Sequence, residues 1–292
     1  MSKRACAIAL AVAACSRHAP QQRGADIRDA APDVGALDAG ADAGDESRAP
    51  LGGVPWQIDL LDGKVKLGVV SVPLGATEPR PIMIALHGGS DRPEWACGAW
   101  RGITGAHPFI VCPRGVGGNE AALAWSSPAD TAQRVARAIA ATRAMFEGWI
   151  REAPVVLAGF SMGATQAAAL AQRDPKAYRR VALAESAYAP EPVMTFARTW
   201  AAGGGERAIF LCTTLGCEAP YRSAARNVAR HHVPARLNIA GTNAHGMWDV
   251  VVQSMQRDWP WFVEGAAGWE TYAPSAAADA GTLPGRTEAF SD

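Results

Sequence analysis

The chain has 292 residues, with 28 Lys+Arg against 28 Asp+Glu and 49% hydrophobic residues. That length suffices for one large domain with a proper core. The zero formal net charge removes the electrostatic ground for expecting a nucleic-acid partner.

The first residues read MSKRACAIALAVAACSRH. Lys3 and Arg4 form a basic region ahead of an apolar run over 5–14 that is too short to span a bilayer, so residues 1–14 are expected to be an export signal. Val12-Ala13-Ala14-Cys15 resembles the lipobox of bacterial lipoproteins, which implies lipidation at Cys15, a membrane partner and a place at the periplasmic or outer-membrane face of the envelope. The competing reading is an ordinary secretory signal with Cys15 incidental. Residues 15–53, as in DVGALDAGADAGDE, carry too few core-forming side chains to offset their ordering entropy and are expected to form a disordered tether.

Residues 54–264 are expected to be the folded body. QIDLL and VKLGVVSV flank Asp62-Gly63 and predict a hairpin. PIMIALHGG and PFIVCPRG are continuous apolar runs, as in strands covered on both faces. Ser127-Pro128-Ala129-Asp130 supplies an N-cap, a proline at N1 and an acid at N3 for a helix whose apolar residues recur from Val135 to Trp149. VVLAG predicts another buried strand, leading into an alanine-rich helix to about Arg173. VALAESA, AIFLCTT and ARLNIAG are three further short strands, and a last helix is expected from Trp248 to about Trp259, ahead of Pro260. Strands alternating with helices predict an α/β fold with a mostly parallel central sheet. Residues 265–292 read as a low-complexity tail in which Trp269 and Tyr272 are the residues able to dock. The chain shows no internal repeat.

Four cysteines fall in the body. In an exported, oxidising setting they favour disulfides over free thiols, with three possible pairings. Spacing favours Cys97–Cys112 and Cys212–Cys217. No CxxC pair or histidine-rich cluster points to a metal, so none is expected.

Gly159-Phe160-Ser161-Met162-Gly163 fits G-x-S-x-G between a predicted strand and a predicted helix. In that context it reads as a nucleophile elbow: a strained turn that lifts the serine hydroxyl above the sheet at the positive end of a helix. An N-cap serine would explain Ser161 but not both flanking glycines. With ALHGG at 85–89 and a histidine after the last strand, the body resembles the α/β-hydrolase superfamily. It is most similar to the phospholipase/carboxylesterase, dienelactone-hydrolase-like and polyhydroxybutyrate-depolymerase-like esterases.

The resemblance implies a Ser-His-acid triad acting through an acyl-enzyme without a cofactor. Of six histidines, His18 lies in the tether, His107 precedes a strand, His87 belongs to HGG, and His231 and His232 close a helix. His245 follows the final strand and is the expected base. Chain order places the acid between Ser161 and His245, where Glu185, Glu191, Glu206 and Glu218 are the carboxylates after Asp174. Glu218 sits in a turn one residue shorter than the family's G-x-x-D-like turn and is the expected acid, clamped by a Cys212–Cys217 bridge. Glu185, at the end of VALAE, is the alternative position used by some relatives. Asp249, four residues after His245, is expected to cap or decorate the last helix. The resemblance places the oxyanion donors at Gly89 and Met162. Trp95 and Trp100 in the loop after HGG, Trp125 and Trp248 suggest an open, aromatic-walled cleft for a short or medium acyl ester. A peptidase or thioesterase with the same triad, or a catalytically silent binding module on this fold, are the alternatives.

Overall fold

The hairpin forms as the Asp62-Gly63 turn requires. In the computed structural model, which describes residues 48–117, 119, 122–186, 190–274 and 283–291, β1 (Gln57–Asp62) pairs antiparallel with β2 (Val65–Ser71). Next follow β3 (Ile82–Leu86), α1 (Pro93–Thr104), β4 (Phe109–Pro113), α2 (Pro128–Met145), β5 (Val156–Phe160), α3 (Met162–Arg173) and β6 (Arg180–Ala184). After them come α4 (Pro190–Thr195), α5 (Ala197–Ala202), β7 (Arg207–Cys212), a 3₁₀ turn (Leu215–Cys217), α6 (Glu218–Ala229), β8 (Ala235–Ile239), α7 (Val250–Val263) and β9 (Arg286–Phe290).

Among the described residues, nine strands form one sheet in the order β1-β2-β4-β3-β5-β6-β7-β8-β9. The six strands from β4 to β8 run parallel, and β1, β2 and β9 complete the edges antiparallel. Parallel strands need both faces covered, and two apolar layers do so. One, with α1 and α7, buries Trp100, Met255, Trp259 and Phe262; the other, with α2, α3 and α6, buries Val135, Leu170, Tyr221 and Val228. Each such side chain contributes about 1.5–3 kcal/mol on leaving water. Among the described residues, no helix is long and apolar enough to cross a membrane. Residues 1–47, including Cys15 and His18, lie outside the described residues.

Several boundaries differ from the sequence reading, and α2 ends at Met145 rather than reaching Trp149. Residues 93–104 form α1 rather than a loop. Pro93 opens it, Glu94 and Arg101 complement its dipole, and Ala96, Cys97, Trp100 and Ile103 make its buried face. Gly98 and Gly102 inside the helix obscure that pattern. The last helix starts at Val250 and runs through Pro260 to Val263. Pro260, in the final turn, forgoes the bond to the Gln256 carbonyl, and the burial of Trp259, Phe262 and Val263 around it offsets that loss.

The C-terminal segment is not tail throughout. Trp269 is buried and stacks on His107, and Arg286–Phe290 forms β9 on the edge of β8. Two polar clusters hold that strand. Asp258, fully buried on α7, accepts from Arg236 Nη1 at 2.9 Å, Asn238 Nδ2 at 2.8 Å and Thr287 Oγ1 at 2.6 Å. Arg222 on α6 reaches Glu288 at 2.6 Å, while Arg286 reaches Glu218 at 2.8 Å. Composition hides this strand because its partners are charges contributed by distant elements.

Candidate active site

The elbow is built from β5 and α3. Ser161 has φ 53° and ψ −119°, a conformation costly for a residue with a Cβ. Its N–H donates to Ala184 O at 2.7 Å, which fastens the turn to the end of β6. The flanking glycines are sterically required. A Cβ on Gly159 would strike the Gly163 carbonyl, and one on Gly163 would strike the Leu86 carbonyl at the end of β3. The HGG segment is therefore pressed against the elbow. A Cβ on Gly88 would lie 3.4 Å from that of Ser161, and one on Gly89 would lie 3.3 Å from Met162 Cε.

His87 holds this segment in shape. It is fully buried, its Nε2 accepts from Gly115 N–H at 3.1 Å, and its Nδ1–H donates to Gly88 O at 2.7 Å. Burial keeps its pKa below the usual histidine value, so the ring is the neutral tautomer that this donor–acceptor pair requires. Trp125 stacks on the ring at 4.7 Å, and its Nε1–H donates to His87 O at 2.8 Å. Asp91 accepts from Gly88 N–H at 3.1 Å and from Arg92 N–H at 2.7 Å.

His245 lies in the loop after β8, its ring 4.8 Å from that of Phe160, the residue preceding Ser161. Its Nδ1 faces Glu185 Oε2 at 3.2 Å. Glu185, at the end of β6, is buried with φ 52°. Its Oε1 accepts from the N–H groups of Thr213 and, at 2.7 Å, Thr214, and Thr214 Oγ1 lies 3.1 Å from Oε2. Burial alone would raise the carboxyl pKa. The bonds from His245, Thr214 and Thr213 outweigh it and hold the group below the usual carboxylate range, as an anion.

Glu218 is not the partner of His245. It opens α6, and its carboxylate is engaged by Arg222 at 3.5 Å and Arg286 at 2.8 Å, at the root of β9. Glu218, beyond the turn after β7, keeps its carboxylate among these arginines, whereas Glu185, after β6, faces the imidazole. Asp249 precedes α7 without a side-chain capping bond.

Both disulfides join the pairs that spacing favours. Cys97 on α1 meets Cys112 on β4 with Cα atoms 5.9 Å apart, and Cys212 meets Cys217 with Cα atoms 5.7 Å apart. The second bridge spans the turn that holds Glu185, not the neighbourhood of a catalytic Glu218. Glu185, Cys212 and Cys217 bring ligand-type atoms within 4.8 Å of one another. A bridged pair presents no thiolate, so the trio is no ligand set in this state.

A cleft of about 400 Å³ opens beside His245, walled by Trp95, Trp100, Phe160, Met247 and Trp248 and edged by Gly89. Trp95 and Trp248 stand half-exposed at its rim. The Thr213–Thr214 pair and Asp91 were not legible as site residues. Short polar residues after a strand are common, and only the third dimension aims their groups.

No family model matches the chain, and no curated protein matches it. The layered sheet, its strand order and the elbow define an α/β-hydrolase fold, and solved structures agree. Est1E from Butyrivibrio proteoclasticus superposes with a TM-score of 0.53 at 9% identity, over 72% of this chain and 100% of that one. Its structure with bound ferulic acid gives 0.52 at 11% identity, over 71% and 99%. A carboxylesterase from Mesorhizobium loti is 19% identical over 70% of this chain and 98% of its own, with a TM-score of 0.49.

Proposed function

We propose that this protein is a serine hydrolase that cleaves a carboxylic ester through an acyl-enzyme, with Ser161, His245 and Glu185 as nucleophile, base and orienting acid. The observation that carries the reading is the buried Glu185 carboxylate on His245 Nδ1, with the same imidazole packed on the residue before a strained serine. With Nδ1–H given to Glu185, Nε2 is the basic nitrogen. It takes the Ser161 proton as Oγ attacks the ester carbonyl, and the Glu185 anion stabilises the imidazolium that forms. The N–H groups of Gly89 and Met162 bear the developing oxyanion, at the N-terminus of α3. The imidazolium protonates the leaving alcohol, and the same nitrogen then activates water to release the acid.

The aromatic cleft favours an apolar or aromatic acyl or alkyl group of short to medium length. The sequence features at 1–15 support export and a lipid anchor at Cys15, which would place this cleft at a bacterial envelope membrane. The test is labelling of the full chain by an alkyl fluorophosphonate, with turnover of nitrophenyl esters of graded length. Labelling lost in Ser161→Ala together with ester turnover supports the hydrolase. An unlabelled wild-type protein that turns over no ester favours a silent binding module. Equal or better turnover of thioesters or peptides would move the assignment within the same chemistry.

A further inference from the structure

The residues that hold Glu185 also hold the loop of His245, and one disulfide closes the turn that carries them. Cys212 ends β7 and Cys217 ends the 3₁₀ turn, both fully buried. Between them, Thr213 sends its N–H to Glu185 Oε1, while its carbonyl accepts from Asn243 N–H at 2.8 Å. Thr214 adds its own N–H to Oε1 and its hydroxyl to the carboxylate. The carbonyl of Cys212 accepts from Ala240 N–H at 2.9 Å, where the loop to His245 departs. Cys217 Sγ itself lies 3.0 Å from Glu185 Oε1.

Two adjacent N–H groups aimed at one carboxylate oxygen form a concave anion site, and its shape depends on the dihedral angles of a short turn whose crest is exposed. Leu215, at the crest of that turn, is largely solvent-exposed, so packing does little to fix it there. The bridge supplies the missing constraint by removing alternative conformations of the segment. We propose that the Cys212–Cys217 disulfide is a positioning element of the active site, which preforms the Thr213–Thr214 anion site and so fixes both Glu185 and the loop of His245. The inference rests on the hydrolase reading for its effect on rate, but its structural part is separable. The Cys97–Cys112 bridge, between α1 and β4, serves as the internal control.

The experiment compares the full chain with C212A/C217A, C212S/C217S and C97A/C112A. In the bridge-212 variants kcat on a short nitrophenyl ester is expected to fall about 10- to 100-fold with KM within twofold, as a misplacement of catalytic groups predicts. In an E185Q background the same cysteine changes are expected to produce a smaller further loss than in the wild type, because part of the bridge's effect runs through that carboxylate and the rest through the loop of His245. The downfield proton NMR resonance of His245 Nδ1–H is expected to weaken or broaden in these variants and to persist in C97A/C112A. Unchanged kcat and resonance, or a full additional loss in E185Q, would overturn the proposal. So would failure of both bridge-212 variants to fold, which would make the bridge a folding element instead. A resonance that responds in a protein with no ester turnover would sink the hydrolase reading while supporting the positioning role.

Discussion

Glu185 Oε2 and His245 Nδ1 lie 3.2 Å apart although sixty residues separate them in the chain. Two strand ends and two loops converge to make that contact, and a carboxylate so placed fixes the imidazole tautomer. Glu185→Gln keeps the volume but presents an amide in place of an acceptor pair, and kcat is expected to fall about 10³- to 10⁴-fold, measured by steady-state ester hydrolysis. Glu218→Gln is expected to leave kcat within twofold. Its partners lie on α6 and β9, so its cost is one of stability, of under about 1 kcal/mol. Comparable rate losses in the two variants would remove the distinction drawn between them.

The elbow's glycines answer for shape rather than chemistry. Gly163→Ala drives a methyl into the Leu86 carbonyl, and Leu86 precedes the HGG segment. Overpacking of this kind costs about 1–3 kcal/mol. The variant is expected to melt several degrees lower and to label with the fluorophosphonate much more slowly, since Gly89 moves away from Met162. A Gly163→Ala protein with wild-type melting and labelling would show that β3 and α3 are not packed at the limit described.

Much of this was readable before the fold. The apolar runs at PIMIALHGG, PFIVCPRG and VVLAG name buried parallel strands because nothing else buries both faces of so short a segment. G-x-S-x-G between such a strand and a helix names its own geometry. The acid was less legible. Glu185 and Glu218 both follow strands, and the choice between them depends on which turn aims its N–H groups inward. That depends on Thr213 and Thr214, which carry no distinctive pattern. Strand β9 was hidden for a related reason. RTEAF is too polar to advertise a strand, and it is held by Arg222, Glu218 and Asp258 from three other positions in the chain. Helix α1 was masked by two glycines that local propensity counts against it.

The rim tryptophans set the reach of the cleft. Trp95 and Trp248 are each about half exposed, 55% and 52%, so truncating either costs little core packing. Trp248→Ala is expected to raise KM for medium-chain or aryl esters about tenfold while leaving acetate hydrolysis nearly unchanged, because only a longer group reaches the ring. A uniform change across the ester series would place Trp248 outside the substrate's path.

Acid sensitivity follows from three buried groups. Burial lowers the pKa of His87 and His107, and the Arg80 guanidinium beside His107 adds to the effect there. A histidine held below its unfolded value of about 6.5 contributes stability that is complete above that pH. The contribution drains away as the pH falls through the lowered folded value, because the unfolded chain takes up the proton first. Glu185 has the same sign at a lower window. Its stabilisation is full above about 4.3 and is lost as the pH falls through its depressed folded value. Melting temperature is therefore expected to drop between pH 7 and 5 through the histidines, and again below pH 4 through Glu185. His107→Gln retains a donor for Gly268 O, the partner of Nε2 at 3.1 Å, without a titrating ring. It is expected to flatten the first drop only, whereas Glu185→Gln flattens the second only. Melts recorded by circular dichroism from pH 8 to 3 decide the matter, and a His107→Gln curve parallel to wild type from pH 7 to 5 would rule out His107 as a source of the first drop.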